Sequence, residues 1–328
     1  MLDLQSGEQR KAIWIASYPK SGNTWLRIFL NNLMRGANSS SESAQSINAL
    51  DEWSGRESLI ADFARRLGKP AREATPAEIA AVRPLVQADV MRGYKAGKPA
   101  FIKTHNAVAT VEGSPTINFD ITKCGIYIVR NPLDIAISFA HHLGSSIDTT
   151  IEYMADTEAT TQLADEKRVY EFISSWSHHV ASWLSIPHRP ILILRYEDMV
   201  SAPERSFGRV VSFLNINADR EQLQKAIENS EFRRLEKQEK EYGFRERPAS
   251  SKKFFRSGKS GQWKEDLSRQ QVNSIIKSHA SMMMRFGYLT ETCDLGQPAG
   301  IGEGGEGEAR SHRSAASGVE VAPRVPFD

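Results

Sequence analysis

Groups that could bind a phosphate are concentrated near the start of the chain, in residues 18–25, which read Tyr-Pro-Lys-Ser-Gly-Asn-Thr-Trp. An apolar run at 13–16 predicts a strand before this stretch, and apolar residues at helical spacing in 24–34 predict a helix after it. A sharp turn from strand to helix exposes backbone N–H groups at the positive end of the helix dipole, and Gly22 would let that backbone approach a phosphate closely. Residues 18–25 therefore predict a phosphate cradle. The side chains that could add hydrogen-bond donors to it are Lys20, Ser21, Asn23 and Thr24.

The order of residues in this cradle does not match the commonest nucleotide-binding loop. A Walker A motif, G-x-x-x-x-G-K-[ST], places its lysine after the second glycine, whereas Lys20 precedes Gly22 here. A P-loop kinase-like phosphotransferase would also need a hydroxyl and a carboxylate for magnesium. It remains an alternative at this stage.

Two further apolar runs predict strands that end in basic residues. The run at 99–106 contains Lys103 and His105, and the run at 123–129 leads to Arg130. Because the carboxyl ends of parallel strands share one edge of a sheet, we expect these side chains beside the cradle. A lone histidine is more often a structural hydrogen-bonding group than a catalyst, so His105 alone does not establish catalysis.

Two segments later in the chain could contact a second phosphate. Arg130 can fork onto a phosphate, and Ser138 on the following predicted helix could reach the same side. A competing interpretation is that Arg130 pairs with Asp134 at the surface. Residues 255–264, Phe-Arg-Ser-Gly-Lys-Ser-Gly-Gln-Trp-Lys, combine two glycines with flanking cations and suit a second phosphate clamp.

Strand and helix patterns alternate from residue 13 to residue 214, which predicts an α/β fold: a central, mainly parallel sheet flanked by helices. Residues 47–95 are predicted to form a helical insert, in which Thr75 and Glu78 make a capping box. We expect a single domain at 1–295. Gly, Ala, Ser, Glu and Pro dominate 296–328, which predicts a disordered C-terminal tail.

The composition of the chain limits the classes of partner and the cellular setting that we expect. A net charge of +2 over 328 residues gives no reason to expect a nucleic-acid or general membrane partner. Two cysteines are too few for a disulfide framework, so we expect a reducing, cytoplasmic setting. No apolar run approaches the roughly 20 residues of a membrane span.

Five separated segments resemble, in order, the motifs of the soluble, cytosolic-type sulfotransferase family. That resemblance implies a P-loop-like fold and transfer of the sulfuryl group of PAPS (3′-phosphoadenosine 5′-phosphosulfate) to a hydroxyl or amine, releasing PAP, without a metal. A non-catalytic adenine-nucleotide-binding protein is a further alternative. The five segments are 18–25, 103–105, 130–138, 196–199 (Tyr-Glu-Asp-Met) and 256–264.

The resemblance also implies roles for individual residues. His105 would be the general base, Lys20 would neutralise the leaving group, Lys103 would assist at the sulfuryl oxygens, and Ser138 would restrain Lys20 until acceptor binds. His179, in Trp-x-x-His-Val, would lie near the acceptor. The residues implied at the nucleotide are Lys20, Ser21, Gly22, Asn23, Thr24, Trp25, Arg130, Ser138, Tyr196, Ser230, Phe232, Arg256, Ser257 and Gly258.

The chain departs from the family pattern at Asn23 and Gln262, where the family has threonine and aspartate, and at two places that bear on binding and assembly. Ser257 stands where the family has a lysine, which removes one expected cation from the phosphate clamp. The family's dimer motif is degraded, because the corresponding positions read Lys264, Ser268, Arg269 and Asn273, and the oligomeric state stays open. Phenol, alcohol, glycan, lipid and natural-product acceptors all remain possible, as does O- or N-sulfation.

Overall fold

A computed structural model of the protein describes residues 11–36, 46–50, 54–94, 99–161, 167–186, 188–247 and 253–290. All of these residues belong to one compact unit. The predicted disordered tail, 296–328, lies outside the described residues.

A five-stranded sheet in the order β2-β3-β1-β6-β7 occupies the centre, and each of its described pairings is parallel. The sequence prediction of a mainly parallel sheet is confirmed. All six residues of β1 are buried, as expected for a strand covered on both faces. The carboxyl ends of β1, β3, β6 and β7 therefore lie along one edge. The strands are β1 (Ala12–Ser17), β2 (Gly55–Arg56), β3 (Ala100–Thr104), β4 (Thr110–Val111), β5 (Ser114–Pro115), β6 (Thr122–Val129) and β7 (Ile191–Arg195).

Helices cover both faces of this sheet. Alternate β1 side chains enter two different cores: Ile13 packs with Phe29 of the first helix, and Trp14 packs with Trp183. No helix within the described ranges has the length and apolar content that crossing a bilayer requires. The α-helices are α1 (Asn23–Gly36), α2 (Ile60–Leu67), α3 (Pro76–Arg92), α4 (Pro132–Leu143), α5 (Ile147–Ala155), α6 (Trp176–Leu184), α7 (Tyr196–Ser201), α8 (Pro203–Phe213), α9 (Arg220–Asn229), α10 (Phe232–Tyr242), α11 (Trp263–Asp266) and α12 (Arg269–Arg285).

The predicted helical insert contains helices α2 and α3 but also strand β2, which joins the sheet edge beside β3. The expected capping box at the start of α3 is confirmed, since the Thr75 hydroxyl accepts the Glu78 N–H and the Glu78 carboxylate accepts the Thr75 N–H. The insert is therefore not purely helical, and its strand β2 places Glu57 beneath the site described below.

One helix starts later than the sequence pattern predicts. The apolar spacing from residue 171 predicts a helix over 171–184, but α6 begins at Trp176 because Ser175 caps it and Ser174 has a φ of 58°. The prediction was wrong for residues 171–175. Glu171 is consequently on an extended segment, with its backbone N–H bonded to the Thr161 hydroxyl.

Candidate active site

A single cavity of about 630 Å³ lies at the carboxyl edge of the sheet. Lys20, Arg130 and Arg256, which are far apart in sequence, all line it, together with His105. The parallel strands explain the position of three of these residues, because β1, β3 and β6 end just before Lys20, His105 and Arg130. Arg256 reaches the cavity from the loop between two later helices. The predicted residues that line the cavity are Lys20, Gly22, Asn23, Thr24, Trp25, Lys103, His105, Arg130, Ser138, Tyr196, Phe232, Arg256, Ser257 and Gly258.

The turn from β1 to α1 has an unusual backbone. Lys20 has a φ of 67° and Gly22 a φ of 103°, both in the left-handed region. A Cβ on Gly22 would lie 2.8 Å from a ring carbon of Tyr196, so only glycine fits this position without displacement. The Asn23 amide donates to the Ile15 carbonyl at 2.9 Å, which ties the first residue of α1 back to the strand. The cradle is thus fixed by the Tyr196 ring beside Gly22 and by the hydrogen bond from Asn23 to the strand.

Three of the cations that line the cavity form no ion pair in the described part of the chain. Among the described residues, no carboxylate lies within ion-pairing distance of Lys20, Arg130 or Arg256. Arg130 instead donates to the carbonyls of Lys20 at 2.9 Å and Lys259 at 3.2 Å. Burial, followed by the charges of Arg130 and Arg256, lowers the pKa of Lys20 to about 8. An incoming anion would relieve this repulsion.

The glycine-bearing loop after residue 255 closes one side of the cavity. A Cβ on Gly258, whose φ is 64°, would lie 2.3 Å from the Phe232 ring. The Asp134 carboxylate accepts the Gly261 N–H at 2.7 Å and the Trp263 N–H at 3.1 Å, so it fastens this loop to α4. The alternative in which Arg130 pairs with Asp134 was wrong, since Asp134 is used for the loop.

His105 lies at the end of β3 in a defined tautomer. Its Nδ1 is 2.8 Å from the Ser17 carbonyl oxygen, which can only accept, so Nδ1 carries the proton and Nε2 keeps its lone pair. Burial, and then the charge of Lys103, lowers the pKa of His105 to about 3. The imidazole is therefore neutral throughout the ordinary pH range.

A buried polar network holds the backbone around His105. The Glu57 carboxylate accepts from the Thr104 hydroxyl and the Asn106 amide, each at 2.5 Å, and from the Gln87 amide at 2.6 Å. Burial raises the pKa of Glu57. Thr104 and Asn106, on either side of His105, are thus both anchored to the Glu57 carboxylate. No pattern in the sequence predicts this role of Glu57, because the contact joins β3 to the insert.

Three predicted residues do not line the cavity. His179 is fully buried; its Nε2 donates to the His105 carbonyl at 3.0 Å and its Nδ1 accepts from Tyr127 at 2.8 Å. The Ser230 hydroxyl is buried and donates to the Ala226 carbonyl at 2.7 Å. Ser21 is also fully buried. The structure places all three behind the cavity surface.

Several cavity residues were absent from the sequence prediction. Glu171 accepts the His105 backbone N–H at 3.0 Å and lines the cavity. Burial would raise the pKa of Glu171, but Lys103, His105 and Arg168 lower it to about 2. The pKa of Lys103 is lowered to about 8, mainly by burial. Lys20 lies over the ring of Phe254, a contact that the adjacent aromatic pair before Arg256 could have suggested.

No group of three or more His, Cys, Asp and Glu side chains in the described ranges is arranged to hold a metal ion. The fold and the cavity together define a P-loop-like α/β protein with an anion-binding site at the carboxyl edge of its sheet. Its glycine turns, clustered cations and neutral histidine are suited to group transfer between anionic substrates.

Comparison with known proteins defines the family. Residues 10–287 match the sulfotransferase domain family, and the chain belongs to that family. It is 27% identical over 264 residues to sulfotransferase 1B1 of Canis lupus familiaris, covering 77% of this chain and 76% of that protein. It is 25% identical over 285 residues to flavonol 3-sulfotransferase of Flaveria bidentis, covering 81% and 79%.

Solved structures agree with the fold. A structure of retinol dehydratase in complex with androsterone and inactive cofactor PAP superposes with a TM-score of 0.58 at 18% identity, covering 90% of this chain and 85% of that one. Mouse sulfotransferase SULT7A1 complexed with PAP gives a TM-score of 0.55 at 18% identity, covering 87% of each chain. The protein is a sulfotransferase with the P-loop-like fold of that family.

Proposed function

We propose that the protein transfers the sulfuryl group of PAPS to a hydroxyl or amine of a small-molecule acceptor by in-line displacement, with His105 as general base. The observation that carries this proposal is the single cavity in which Lys20, Arg130 and Arg256 converge beside a neutral imidazole. Membership of the sulfotransferase family supports it. That membership also disfavours the kinase-like alternative.

The residues of the cavity fit a doubly phosphorylated adenine nucleotide. Lys20, Arg130 and Arg256 form no ion pair with a described carboxylate, and a Cβ on Gly22 or Gly258 would collide with the ring of Tyr196 or Phe232. PAP in the structures of two neighbours supports the same class of ligand. When bound, PAPS would supply an activated sulfuryl group and a stable leaving phosphate.

Each part of the nucleotide has candidate contacts. Lys20 and the turn from Gly22 to Thr24 would hold the 5′-phosphosulfate, while Arg130, Ser138 and Arg256 would hold the 3′-phosphate. Ser257 and Gly258 border the latter site. The aromatic residues available to contact adenine are Trp25, Tyr196 and Phe232.

The hydrogen bonds of His105 suit a proton acceptor. Nε2 would take the proton of the acceptor hydroxyl, while the Ser17 carbonyl continues to hold Nδ1–H and stabilises the resulting imidazolium. Lys103, whose pKa of about 8 leaves it charged at neutral pH, would stabilise charge on the sulfuryl oxygens. Lys20 would balance the charge that develops at the leaving phosphate.

His179 and Ser230 would act on the site through other residues. His179 supports the His105 carbonyl, and the Ser230 carbonyl accepts the Trp25 indole N–H at 2.8 Å. Both contacts orient residues that line the cavity. We propose that the His179 side chain and the Ser230 backbone position the site, and that neither touches the nucleotide or the acceptor; Ser21 is buried behind the cavity surface and no contact assigns it a positioning role.

The wider setting is also a proposal. The balanced charge gives no reason to expect nucleic acid as a partner, and the few cysteines favour a cytoplasmic location without a disulfide framework. The degraded dimer motif favours an oligomeric state other than the usual family dimer, and Ser268 of that motif is the N-cap of α12. The disordered tail at 296–328 remains a prediction.

Replacement of the general base tests the mechanism. We expect His105→Ala to lower sulfate transfer from labelled PAPS at least about a hundredfold while the PAP dissociation constant changes little. His178→Ala, an exposed histidine on α6 outside the cavity lining, is the matched control. Unchanged transfer in His105→Ala would remove His105 from the mechanism, and PAP binding without any transfer by the wild-type protein would favour the non-catalytic alternative.

A further inference from the structure

The wall of the cavity beyond His105 is built from helices α4 and α5 and from two bridged extended segments. The segments at 160–161 and 168–171 are joined by the Thr161 N–H, which donates to the Glu171 carbonyl at 2.9 Å, and by the Glu171 N–H, which donates to the Thr161 hydroxyl at 2.8 Å. We call the cavity-lining residues from 138 to 171 the acceptor wall. It lines the same cavity as His105 and follows β6 in the chain, whereas the cradle follows β1.

The acceptor wall is mostly polar. Of its twelve residues, only Phe139, Leu143 and Val169 are apolar. The other nine are seven neutral polar side chains and the two charged residues Arg168 and Glu171. Such a surface is unusual for a pocket meant for a flat apolar ligand, because ligand sites of that kind are lined predominantly by hydrophobic and aromatic side chains.

Some polar groups of the wall are available to a ligand. The Tyr153 hydroxyl makes no hydrogen bond with any other described residue, and Ser138, which is assigned to the 3′-phosphate above, is set aside. Glu171 is ionised, with a pKa of about 2, and its charge, after burial, contributes to the raised pKa of Tyr153. Tyr153 and Glu171 both line the cavity, and the Glu171 carboxylate accepts the His105 backbone N–H, which places it beside the proposed base.

An apolar acceptor would be poorly matched to this wall. It would displace water from the Glu171 carboxylate and the Tyr153 hydroxyl without replacing the hydrogen bonds, at a cost of about 1–3 kcal/mol for each neutral group and more for a charged one. An acceptor with several hydroxyls could donate to Glu171 and pair with Tyr153. The Phe139 ring, 5.5 Å from that of Tyr153 in an edge-to-face pair, offers an apolar surface for one face of a sugar ring.

We infer that the acceptor is a polyhydroxylated, sugar-like molecule, selected by the acceptor wall through hydrogen bonds to Tyr153 and Glu171. This inference rests on the proposed sulfotransferase function and names the substrate class of the same site. It sets this chain apart from the structural neighbour whose structure contains androsterone.

Binding and turnover with ring-matched probes test the inference. A panel of methyl hexosides is compared with cyclohexanol and phenol by saturation-transfer NMR on the PAP-loaded protein, and by mass detection of sulfated product with PAPS. At least one hexoside is expected to exceed cyclohexanol and phenol in kcat/KM by about a hundredfold or more, since sites that hydrogen-bond a hydroxyl strongly reject analogues that lack it. Binding or turnover of phenol or cyclohexanol equal to or better than that of every hexoside would overturn the inference.

A pair of tyrosine variants separates specificity from stability. Tyr153→Phe is expected to raise KM for the preferred hexoside about tenfold, with the PAP dissociation constant unchanged. Tyr170→Phe is the control, because Tyr170 is near the wall in sequence, does not line the cavity, and bonds the Pro76 carbonyl at 3.1 Å. An unchanged KM in Tyr153→Phe would overturn the assignment of that residue. Phenol sulfation that depends on His105 and equals or exceeds that of every hexoside would overturn this inference alone, whereas transfer that survives His105→Ala would overturn the proposed mechanism.

Discussion

Two clusters of basic residues, one outside the cavity lining and one within it, are neutralised differently. In the first, the Glu246 carboxylate accepts from Arg27 at 2.8 and 3.0 Å and from Arg56 at 2.8 Å. Although burial would raise the pKa of Glu246, Arg27 and Arg56 lower it to about 2. In the second, Arg130 donates to the Lys20 carbonyl, and no described carboxylate lies within ion-pairing distance of Lys20, Arg130 or Arg256; the charge of Glu239 only partly offsets the lowering of the Lys20 pKa.

The difference separates structural cations from ligand-binding cations. A buried arginine that has its own carboxylate contributes to the integrity of the fold, since loss of either partner leaves an uncompensated charge. A cation held beside other cations is costly in the free protein and becomes favourable only when an anion arrives. Charge alone does not distinguish the clusters, but the presence or absence of an internal counter-ion does.

Removal of the internal counter-ion is expected to give the largest effect. Glu246→Gln should lower the free energy of unfolding by about 3–5 kcal/mol, because the fully buried Arg27 would lose the carboxylate that accepts its two hydrogen bonds. Urea denaturation measures the change. Glu241→Gln is the control, since its pairing with Lys237 at 3.8 Å is at the surface and should contribute less than about 1 kcal/mol. Equal losses in the two variants would contradict the structural role of Glu246.

The opposite result is expected in the second cluster. Lys20→Met should weaken PAP binding about 10- to 100-fold, corresponding to about 1.5–3 kcal/mol for a charge-assisted contact. The nucleotide-free protein should keep or gain stability, because the substitution removes a cation that its surroundings disfavour. Calorimetric PAP titration and urea denaturation measure the two effects, with exposed Lys277→Met as control. Normal PAP affinity together with lost stability would place Lys20 in the structural class.

The pH dependence of PAP binding sharpens the same distinction. The folded pKa of Lys20 is about 8, below the ordinary 10.5, so its charge is present at pH 7 and is lost as the pH rises through 8. PAP affinity should then fall by up to about tenfold per pH unit above 8, the slope of one linked proton. Lys20→Arg should show a shallower fall, since arginine stays charged. A flat profile in the wild-type protein would contradict the proposed charge contact.

Local patterns in the sequence were sufficient to predict the first cavity segments. The apolar run before residue 18, Gly22 in the turn and the amphipathic helix after it are contiguous, so β1, the cradle and α1 could be predicted together. His105 and Arg130 followed from the rule that parallel strands end on one side. These predictions depend on short-range periodicity and on a general property of sheets.

The residues that were not predicted depend on long-range packing. Glu171 faces the cavity because Ser174 adopts a left-handed conformation that stops the helix pattern from extending back to it. Glu246 lies in a basic loop, and nothing in the sequence of that loop indicates that Glu246 pairs with Arg27, 219 positions earlier. Ser230 matches a family motif, yet the bonds of its hydroxyl to Ala226 and Asn32 turn it inward. Rules based on residue spacing relate near neighbours in the sequence and do not predict such long-range contacts.

The smallest expected effect comes from adding a cation where the family has one. Ser257 lines the cavity beside Gly258, so Ser257→Lys should tighten PAP binding about two- to fivefold, as expected for one partly exposed charge worth about 0.5–1 kcal/mol. Ser260→Lys adds the same charge to the same loop outside the cavity lining and should change affinity less. Titrations at low and high salt separate the two, because a general increase in positive charge would tighten both variants equally and vanish with salt. Equal gains in PAP affinity in both variants would mean that position 257 does not face the phosphate. A gain confined to Ser257→Lys would show that the cluster of Lys20, Arg130 and Arg256 accepts another cation, as expected for a cluster without an ion-paired carboxylate.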